Sequence, residues 1–452
     1  MTDQRADTPA DNHAAHNANS PSNPSTPTQP HDAASPHPAR RSFLHAAGAG
    51  IAASLASGAA FAAGTPSTQA NQVTLPAIAD PKTDAPVAPP DANAAPDQRI
   101  GFAVVGLGHL AVNEILPAIG QCKYAKVTAL VSGDPIKAQK LATQYGVKTS
   151  AIYDYSRYDE LANNPEVHVI YIVLPNAMHK EYVLRGAQAG KHILCEKPMA
   201  TSVADCEAMI DACRRAQRKL MIGYRSQYEP VDREIVKRVR AKQLGQLTEF
   251  VACNAQTTGD PSQWRLNLKM AGGGALPDIG LYCLNASRFL SDEEPYEVTA
   301  TITQNRSDPR YREVESAVHF ILKFPSGFTA TCMANYSSHE SRFYRLMGTT
   351  GWIEESPAFA YEGLMMRYGT VIDKQDVIIQ PTLPPVNQFA REMDHMALCV
   401  MQDRTPHTPG EEGLQDQKIM EAIYLSARTG KAVSLSPPAS PTRGPDPEEE
   451  HF

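Results

Sequence analysis

A glycine loop set between a strand and a helix constrains this chain more than any other feature. Ile100 to Gly106 reads IGFAVVG, a short apolar run with the character of a buried strand. Gly106-Leu107-Gly108-His109-Leu110-Ala111 follows, and a helix-like run continues to about Gly120. The pattern is G-x-G-x-x-A in a strand–turn–helix setting. The first glycine permits a tight turn, the second lets backbone approach a pyrophosphate, and the small third residue lets helix and strand pack closely. Free N–H groups at the helix N-terminus then receive the phosphate. Gly106, Leu107, Gly108, His109 and Leu110 are therefore the expected cradle of a dinucleotide.

The surroundings continue in the same sense. Val127–Val131 reads as a second strand, Pro135–Tyr145 as a helix, and Val167–Leu174 as a third strand. Strands alternating with helices imply a parallel, doubly wound sheet. The end of the second strand speaks to the cofactor. An NAD site calls for an acidic residue there, facing the ribose hydroxyls. This chain has Ser132-Gly133-Asp134, with Lys137 three residues further on. A small donor and a cation suit the 2′-phosphate of NADP better, while Asp134 stays open as a ribose contact.

Two further segments end strands, where open α/β sheets place their ligands. One is Pro175-Asn176-Ala177-Met178-His179; the other is His192-Ile193-Leu194-Cys195-Glu196-Lys197-Pro198. Lys197 precedes a proline, which biases it to extended backbone and lets its side chain project into a cleft. Later, Gly272-Gly273-Gly274-Ala275-Leu276-Pro277-Asp278-Ile279-Gly280-Leu281-Tyr282 reads as a glycine-rich loop opening a helix. Asp278 and Tyr282 are four apart and so share a helical face. On its own that is an ordinary arrangement, an acidic residue near a helix N-terminus beside a half-buried tyrosine.

Taken together, Gly106-x-Gly108, Glu196-Lys197-Pro198 and the Gly272–Tyr282 segment resemble the Gfo/Idh/MocA oxidoreductase family. The resemblance spans about residues 95–435. Many members have His where this chain has Tyr282. That Tyr, with SGDPIKAQK, IYDYS, QWRL and PGEEG, looks like the periplasmic glucose–fructose oxidoreductase branch. Two features depart from the branch: the His109-Leu110 side chains in the loop, and a long segment before the paired arginines.

The resemblance implies a Rossmann domain over residues 99–223. It also implies an α/β domain for substrate and oligomerisation over 224–435, built on a large open, mainly antiparallel sheet. Independently, residues 247–258, 298–306, 315–324 and 328–338 read as strands, Pro325-Ser326-Gly327 as a turn, and 411–429 as a helix ending at Gly430. By matched position the family implies cofactor contacts at the glycine loop, Ser132, Lys137, Tyr155, Pro175, Asn176, His179, Glu196, Lys197, Arg225, Trp264, Arg265 and Tyr361. Oxidising a sugar hydroxyl needs a base for the O–H proton while hydride leaves carbon. A free Tyr, with a pKa of about 10, is too weak a base near neutrality, and a nearby Lys⁺ favours its phenolate. Tyr282 is thus the expected acid/base, Lys197 its electrostatic partner, and Asp278 the orienting group. The branch implies glucose oxidised to its lactone and fructose reduced to sorbitol, with NADP(H) held tightly throughout.

The ends of the chain read differently. Residues 1–39 carry hardly any large apolar side chains and cannot offset their ordering entropy. Arg40-Arg41-Ser42-Phe43-Leu44, the Ala/Gly-rich run Ala46–Ala63 and Ala60-Phe61-Ala62 resemble a twin-arginine signal with a peptidase site. The run is too short and weakly apolar for a stable membrane anchor. Residues 1–62 are therefore an expected signal for the twin-arginine export machinery and the periplasm. Residues 63–98 form a Pro/Ala-rich arm or linker, and 436–452 a disordered tail. That export route carries folded proteins, which agrees with a cofactor loaded before export. The expected partners are sugars and further copies of the chain, as a homo-oligomer, a tetramer, with the arm laid against a neighbouring subunit. A net charge of −7 gives no reason to expect a nucleic acid. The eight Cys form no C-x-x-C pair, so no metal site is expected and most should be buried thiols. Two other readings stand beside this one: an ordinary NAD(P)-dependent sugar or cyclitol dehydrogenase with exchangeable cofactor, and a periplasmic sugar sensor without turnover. Lys197, Asp278 and Tyr282 occurring together argue against the sensor.

Overall fold

The computed structural model describes residues 98–447. The expected signal, all but the last residue of the expected arm, and residues 448–452 lie outside the described residues. Six strands make the first sheet: β1 Ile100–Val105, β2 Ala125–Val131, β3 Ile152–Tyr153, β4 Val169–Ile172, β5 His192–Glu196 and β6 Leu220–Gly223. Their order is β3-β2-β1-β4-β5-β6 and every pair is parallel. This is the doubly wound order, with its switch point between β1 and β4. β1, β4 and β6 are buried at every position, as strands covered on both faces must be.

The crossover helices are α1 Leu116–Ile119, α2 Pro135–Tyr145, α3 His179–Gln188 and α4 Val203–Arg215. A π-wound turn, Ala111–Ile115, leads into α1. Local chemistry sets the bounds of α2. The Asp134 carboxylate accepts the Lys137 N–H at 3.0 Å, Pro135 occupies the first turn, and Gly146 closes the helix at φ +69°.

The remaining helices are α5 Pro230–Arg240, α6 Leu268–Ala271, α7 Leu281–Ser291, α8 Gln388–Met401 and α9 Gly410–Thr429. They accompany a nine-stranded sheet of β7 Leu247–Ala255, β8 Glu297–Thr303, β9 Ala317–Lys323, β10 Thr329–Asn335, β11 Ser341–Gly348, β12 Trp352–Glu355, β13 Met366–Ile372, β14 Gln375–Ile379 and β15 Val433–Ser434. The order is β14-β13-β12-β11-β7-β10-β9-β8-β15. β7 with β10 is parallel and the other pairs are antiparallel. β9 and β10 alternate buried and exposed residues, so one face is covered and the other open. α7 and α9 lie on the covered face. The four strands expected here are present but stop a few residues sooner at their C-terminal ends. Gly327, at φ +90°, makes the turn between β9 and β10.

Two expectations about the C-terminal part need correction. α8, assigned by sequence to the second domain, packs on the first sheet. Its Phe389, Met393 and Met396 share a core with Phe102, Tyr171, Leu194 and Met221. That apolar face of the parallel sheet is covered by a helix from far along the chain. Residues 436–447, expected as part of a disordered tail, are pinned down. Thr442 is buried and donates to Glu412 at 2.7 Å, and Asp446 pairs with Arg233 at 3.1 Å. Composition signals disorder only where no buried partner waits, and here charged partners do. All eight Cys are free and buried. Among the described residues no helix is long and apolar enough to cross a membrane.

Candidate active site

A cleft of about 840 Å³ opens at the carboxyl ends of the parallel strands. The first sheet contributes Gly106, Leu107, Gly108, His109, Leu110, Ser132, Tyr155, Pro175, Asn176, Glu196 and Lys197 to its lining. Arg225, Trp264, Arg265, Asp278, Tyr282 and Tyr361 complete it, with Asn254, Gln256, Arg342 and Phe359.

The two loop glycines are needed for different reasons. Gly106 has φ +91°, and a side chain there would drive into the Val173 carbonyl oxygen. At Gly108 an added Cβ would meet no protein atom within 4 Å. The bare backbone at 108 therefore answers to something in the cleft and not to the fold, which is what a pyrophosphate requires. Ser132 lines the cleft, and its Oγ accepts the Asp134 N–H at 3.0 Å. Lys137 Nζ reaches across to the Leu107 carbonyl at 3.2 Å. Asp134 caps α2 through Oδ1, and its second carboxylate oxygen leaves the ribose contact open.

Lys197 directly follows β5, and its Nζ donates to the Asp278 carbonyl at 2.8 Å while lying 4.4 Å from the Tyr282 ring centroid. The peptide from Lys197 to Pro198 is cis. Asp278 and Tyr282 are not one α-turn apart as expected, because Leu276–Gly280 is π-wound before α7 begins. Such local widening of a helix is frequent at functional sites. The Glu315 carboxylate organises this entry to α7, accepting N–H groups of Gly274 and Leu276, each at 2.9 Å.

The Tyr282 hydroxyl accepts from Arg225 Nε at 3.2 Å, which leaves its own O–H free to face a substrate. The hydroxyl's direct cationic neighbour is thus Arg225, with Lys197 over the ring face. Arg225 is itself buried. Its guanidinium donates to the Phe359 carbonyl at 2.8 Å, the Ala360 carbonyl at 3.1 Å and Gln388 Oε1. Asp278 accepts from Tyr336 OH at 2.6 Å and Arg265 Nε at 3.3 Å. Burial pushes the Asp278 carboxyl up, but Arg265, Lys197 and the Tyr336 hydroxyl together outweigh it and hold the group ionised, below the usual range. Burial dominates at Glu196, whose carboxyl is raised despite Tyr171, Lys197 and Arg225.

Residues 100–224 match the oxidoreductase family with an NAD-binding Rossmann fold, and residues 233–354 match the GFO/IDH/MocA C-terminal domain. The chain belongs to the Gfo/Idh/MocA oxidoreductase family. Over 356 residues it is 31% identical to D-xylose 1-dehydrogenase [NADP(+)] of Haloarcula marismortui, covering 75% of this chain and 94% of that one. It is 44% identical to the aldose–aldose oxidoreductase of Caulobacter crescentus, solved with glycerol, at a TM-score of 0.72 over 75% of this chain and 100% of that one. A 3-ketoreductase from Actinomadura kijaniata, solved with NADP and TDP-benzene, shares the fold at 23% identity and a TM-score of 0.64, over 73% of this chain and 98% of that one.

Of the residues anticipated for this family site, His179 and Lys137 stand outside the lining. His179 is fully buried, with Nε2 2.8 Å from the Leu174 carbonyl and Nδ1 3.0 Å from the Pro198 carbonyl. It ties together the backbone after β4 and β5, a brace behind the cleft wall in place of a cofactor contact. Asn176 lines the cleft, and its amide N–H is donated to the Ala271 carbonyl at 2.8 Å. Tyr155 packs edge-on against Tyr182 at 5.6 Å. Arg265 stacks over Trp264 at 4.6 Å. Sequence reasoning missed Tyr336, which follows β10, and Asn254, whose amide donates to the Ile279 carbonyl at 3.0 Å. It also missed Arg342, which donates to Gln256 at 2.8 Å. None lies in a motif; strand pairing brings Asn254 and Arg342 to the cleft, and Tyr336, just past β10, reaches it through Asp278.

Proposed function

We propose that this chain is an NADP(H)-dependent sugar oxidoreductase that oxidises an aldose at its anomeric carbon to the lactone and passes the hydride to a second sugar. The observation that carries this reading is that the dinucleotide loop and the Lys197–Asp278–Tyr282 group line one cleft. A donor and an acceptor sugar must then use the same acid/base group in turn. NADP(H), held by the loop of residues 106–110, would supply a reversible hydride acceptor. Tyr282 removes the hydroxyl proton of the first sugar and gives a proton to the carbonyl of the second. Arg225 and Lys197 place positive charge at the hydroxyl and the ring as that proton moves. Ionised Asp278, fixed by Arg265 and Tyr336, offers a carboxylate to orient a sugar hydroxyl.

Ser132 and Lys137 support NADP over NAD, as does the NADP(+)-dependent relative of Haloarcula marismortui. The cofactor is held tightly enough to be regenerated in place, which agrees with an export signal for a folded protein. Glucose as donor and fructose as acceptor is the pairing we favour. The Caulobacter relative's name favours a second aldose as acceptor instead. The test is incubation with glucose plus fructose, or glucose plus xylose, with no added nucleotide. Xylitol supports the reading with a second aldose as acceptor, and sorbitol supports fructose as acceptor only where it carries isotope supplied in the fructose, since reduction of glucose gives the same alditol. Absence of stoichiometric NADP on denaturing the purified protein would leave an ordinary dehydrogenase with exchangeable cofactor.

A further inference from the structure

Tyr171 in β4 is fully buried, and its single hydroxyl sits between two carboxyl groups. The oxygen lies 2.7 Å from Glu196 Oε1 and 3.2 Å from Glu392 Oε2. A phenol has one proton to donate. The shorter contact takes it, so Tyr171 donates to Glu196. The longer contact then brings a phenol oxygen against a carboxyl oxygen of Glu392. Were Glu392 ionised, two acceptors would face one another with no proton between them. Glu392 is 0% exposed, and among the described residues its other oxygen has no hydrogen-bond partner. Desolvating a charge in that way is far costlier than desolvating a neutral acid.

We propose that Glu392 is a positioning residue, a neutral carboxylic acid whose O–H donates to Tyr171, so that Tyr171 in turn donates to Glu196, the neighbour of Lys197. α8 reaches the catalytic strand end through this chain of donors. Four groups from the surrounding elements face Glu392: Tyr171 of β4, Glu196 of β5, and Arg225 and Tyr228 of the turn after β6. Arg225 is the cation among them, and its guanidinium is already directed at Tyr282, two carbonyls and Gln388. Burial first, and then the nearness of Glu196, push the Glu392 carboxyl well above its usual range, in the same direction as the proton count. The role assigned to Glu392 rests on Lys197 serving the acid/base group, while its protonation does not.

The experiment uses the full chain with its nucleotide as purified. An infrared difference spectrum, wild type minus Glu392→Gln at neutral pH, reads the carboxyl directly. Loss of a protonated-carboxyl C=O band in the variant is expected; loss of carboxylate bands instead overturns the proposal. This readout needs no turnover, so its outcome is separate from that of the sugar chemistry. In aldose turnover, Glu392→Gln keeps an N–H donor against Tyr171 and should hold kcat within about twofold. Glu392→Met removes the donor at similar volume and should lower kcat about tenfold with the sugar KM unchanged. Wild type should lose activity on the alkaline side as Glu392 ionises, and Glu392→Gln should not. A Glu392→Met enzyme equal to wild type, or a Glu392→Gln enzyme as impaired as Glu392→Met, would show that the donor is not needed.

Discussion

The Tyr282 hydroxyl accepts from Arg225 and keeps its own proton available to the cleft. Replacing it with Phe removes the acid/base group but leaves the ring stacked under Lys197. Tyr282→Phe should therefore lose turnover by about 10²–10⁴-fold while still releasing a full complement of nucleotide on denaturation. Full activity in that variant would refute the assignment. Lys137 makes the complementary case. Its ammonium lies at the glycine loop, on the Leu107 carbonyl, where it can also meet a 2′-phosphate. Lys137→Ala should weaken NADP retention about tenfold or more, the worth of one charge-assisted hydrogen bond. Equilibrium dialysis of released and rebound nucleotide checks it, and unchanged retention would point the 2′-phosphate elsewhere.

At the scale of elements, two buried polar clusters join segments that sequence keeps far apart. Glu229 and Asp232 at the start of α5 meet Glu355 at the end of β12, with ligand-capable atoms all within 4.8 Å. Tyr344 donates to Asp232 at 2.6 Å. Just beyond Glu355 run the Phe359 and Ala360 carbonyls that hold Arg225. Burial raises Asp232 to about 6, and burial with the nearby Asp232 raises Glu229 to about 7. A carboxyl raised on folding favours the fold while protonated. That contribution is whole below the unfolded value of about 4 and is lost as pH rises through 6 to 7. Tm should accordingly fall from about pH 5 to about pH 8, and Glu355→Gln should flatten the fall; a Tm independent of pH in wild type would refute this. The second cluster surrounds Arg288, fully buried, which meets Glu294 at 2.7 Å, Glu412 at 2.9 Å and Asp416. It anchors Thr442 of the C-terminal segment through a 3.1 Å hydrogen bond. Arg288→Leu strands these carboxylates and should cost about 3–5 kcal/mol in urea unfolding.

At the scale of the molecule, the open face of the nine-stranded sheet exposes Ile321 and Met333, each more than a third accessible, beside Val251 and Phe343. Isolated apolar residues need no explanation, but a row of them on one sheet face suits an interface. Oligomerisation through this face is our proposal, with a tetramer as the expected assembly. Light scattering on Ile321→Glu/Met333→Glu should report smaller particles than wild type. Removing residues 64–98 should loosen the assembly or nucleotide retention if they form an arm; if both are unchanged, those residues are only a linker.

Much of the fold was legible in contiguous residues because the chemistry that sets it is local. The glycine loop, the Asp134 cap, the Pro135–Tyr145 helix and the Pro325-Ser326-Gly327 turn each act within a few residues. Lys197, Asp278 and Tyr282 could be named from the sequence, but their contacts could not. The hydroxyl partner Arg225 lies 57 residues from Tyr282, and Tyr336 lies 58 from Asp278. Glu392 lies 221 residues from Tyr171, on a helix that returns to cover the first sheet. No period or spacing records such pairs. The sequence by itself determined a Rossmann half, its cradle and the residues able to move a proton. Tertiary structure decided which cation meets the hydroxyl and that His179 braces the wall behind the cleft. It also decided where the buried carboxyls meet, since burial and pairing across the chain exist only once the two sheets are packed.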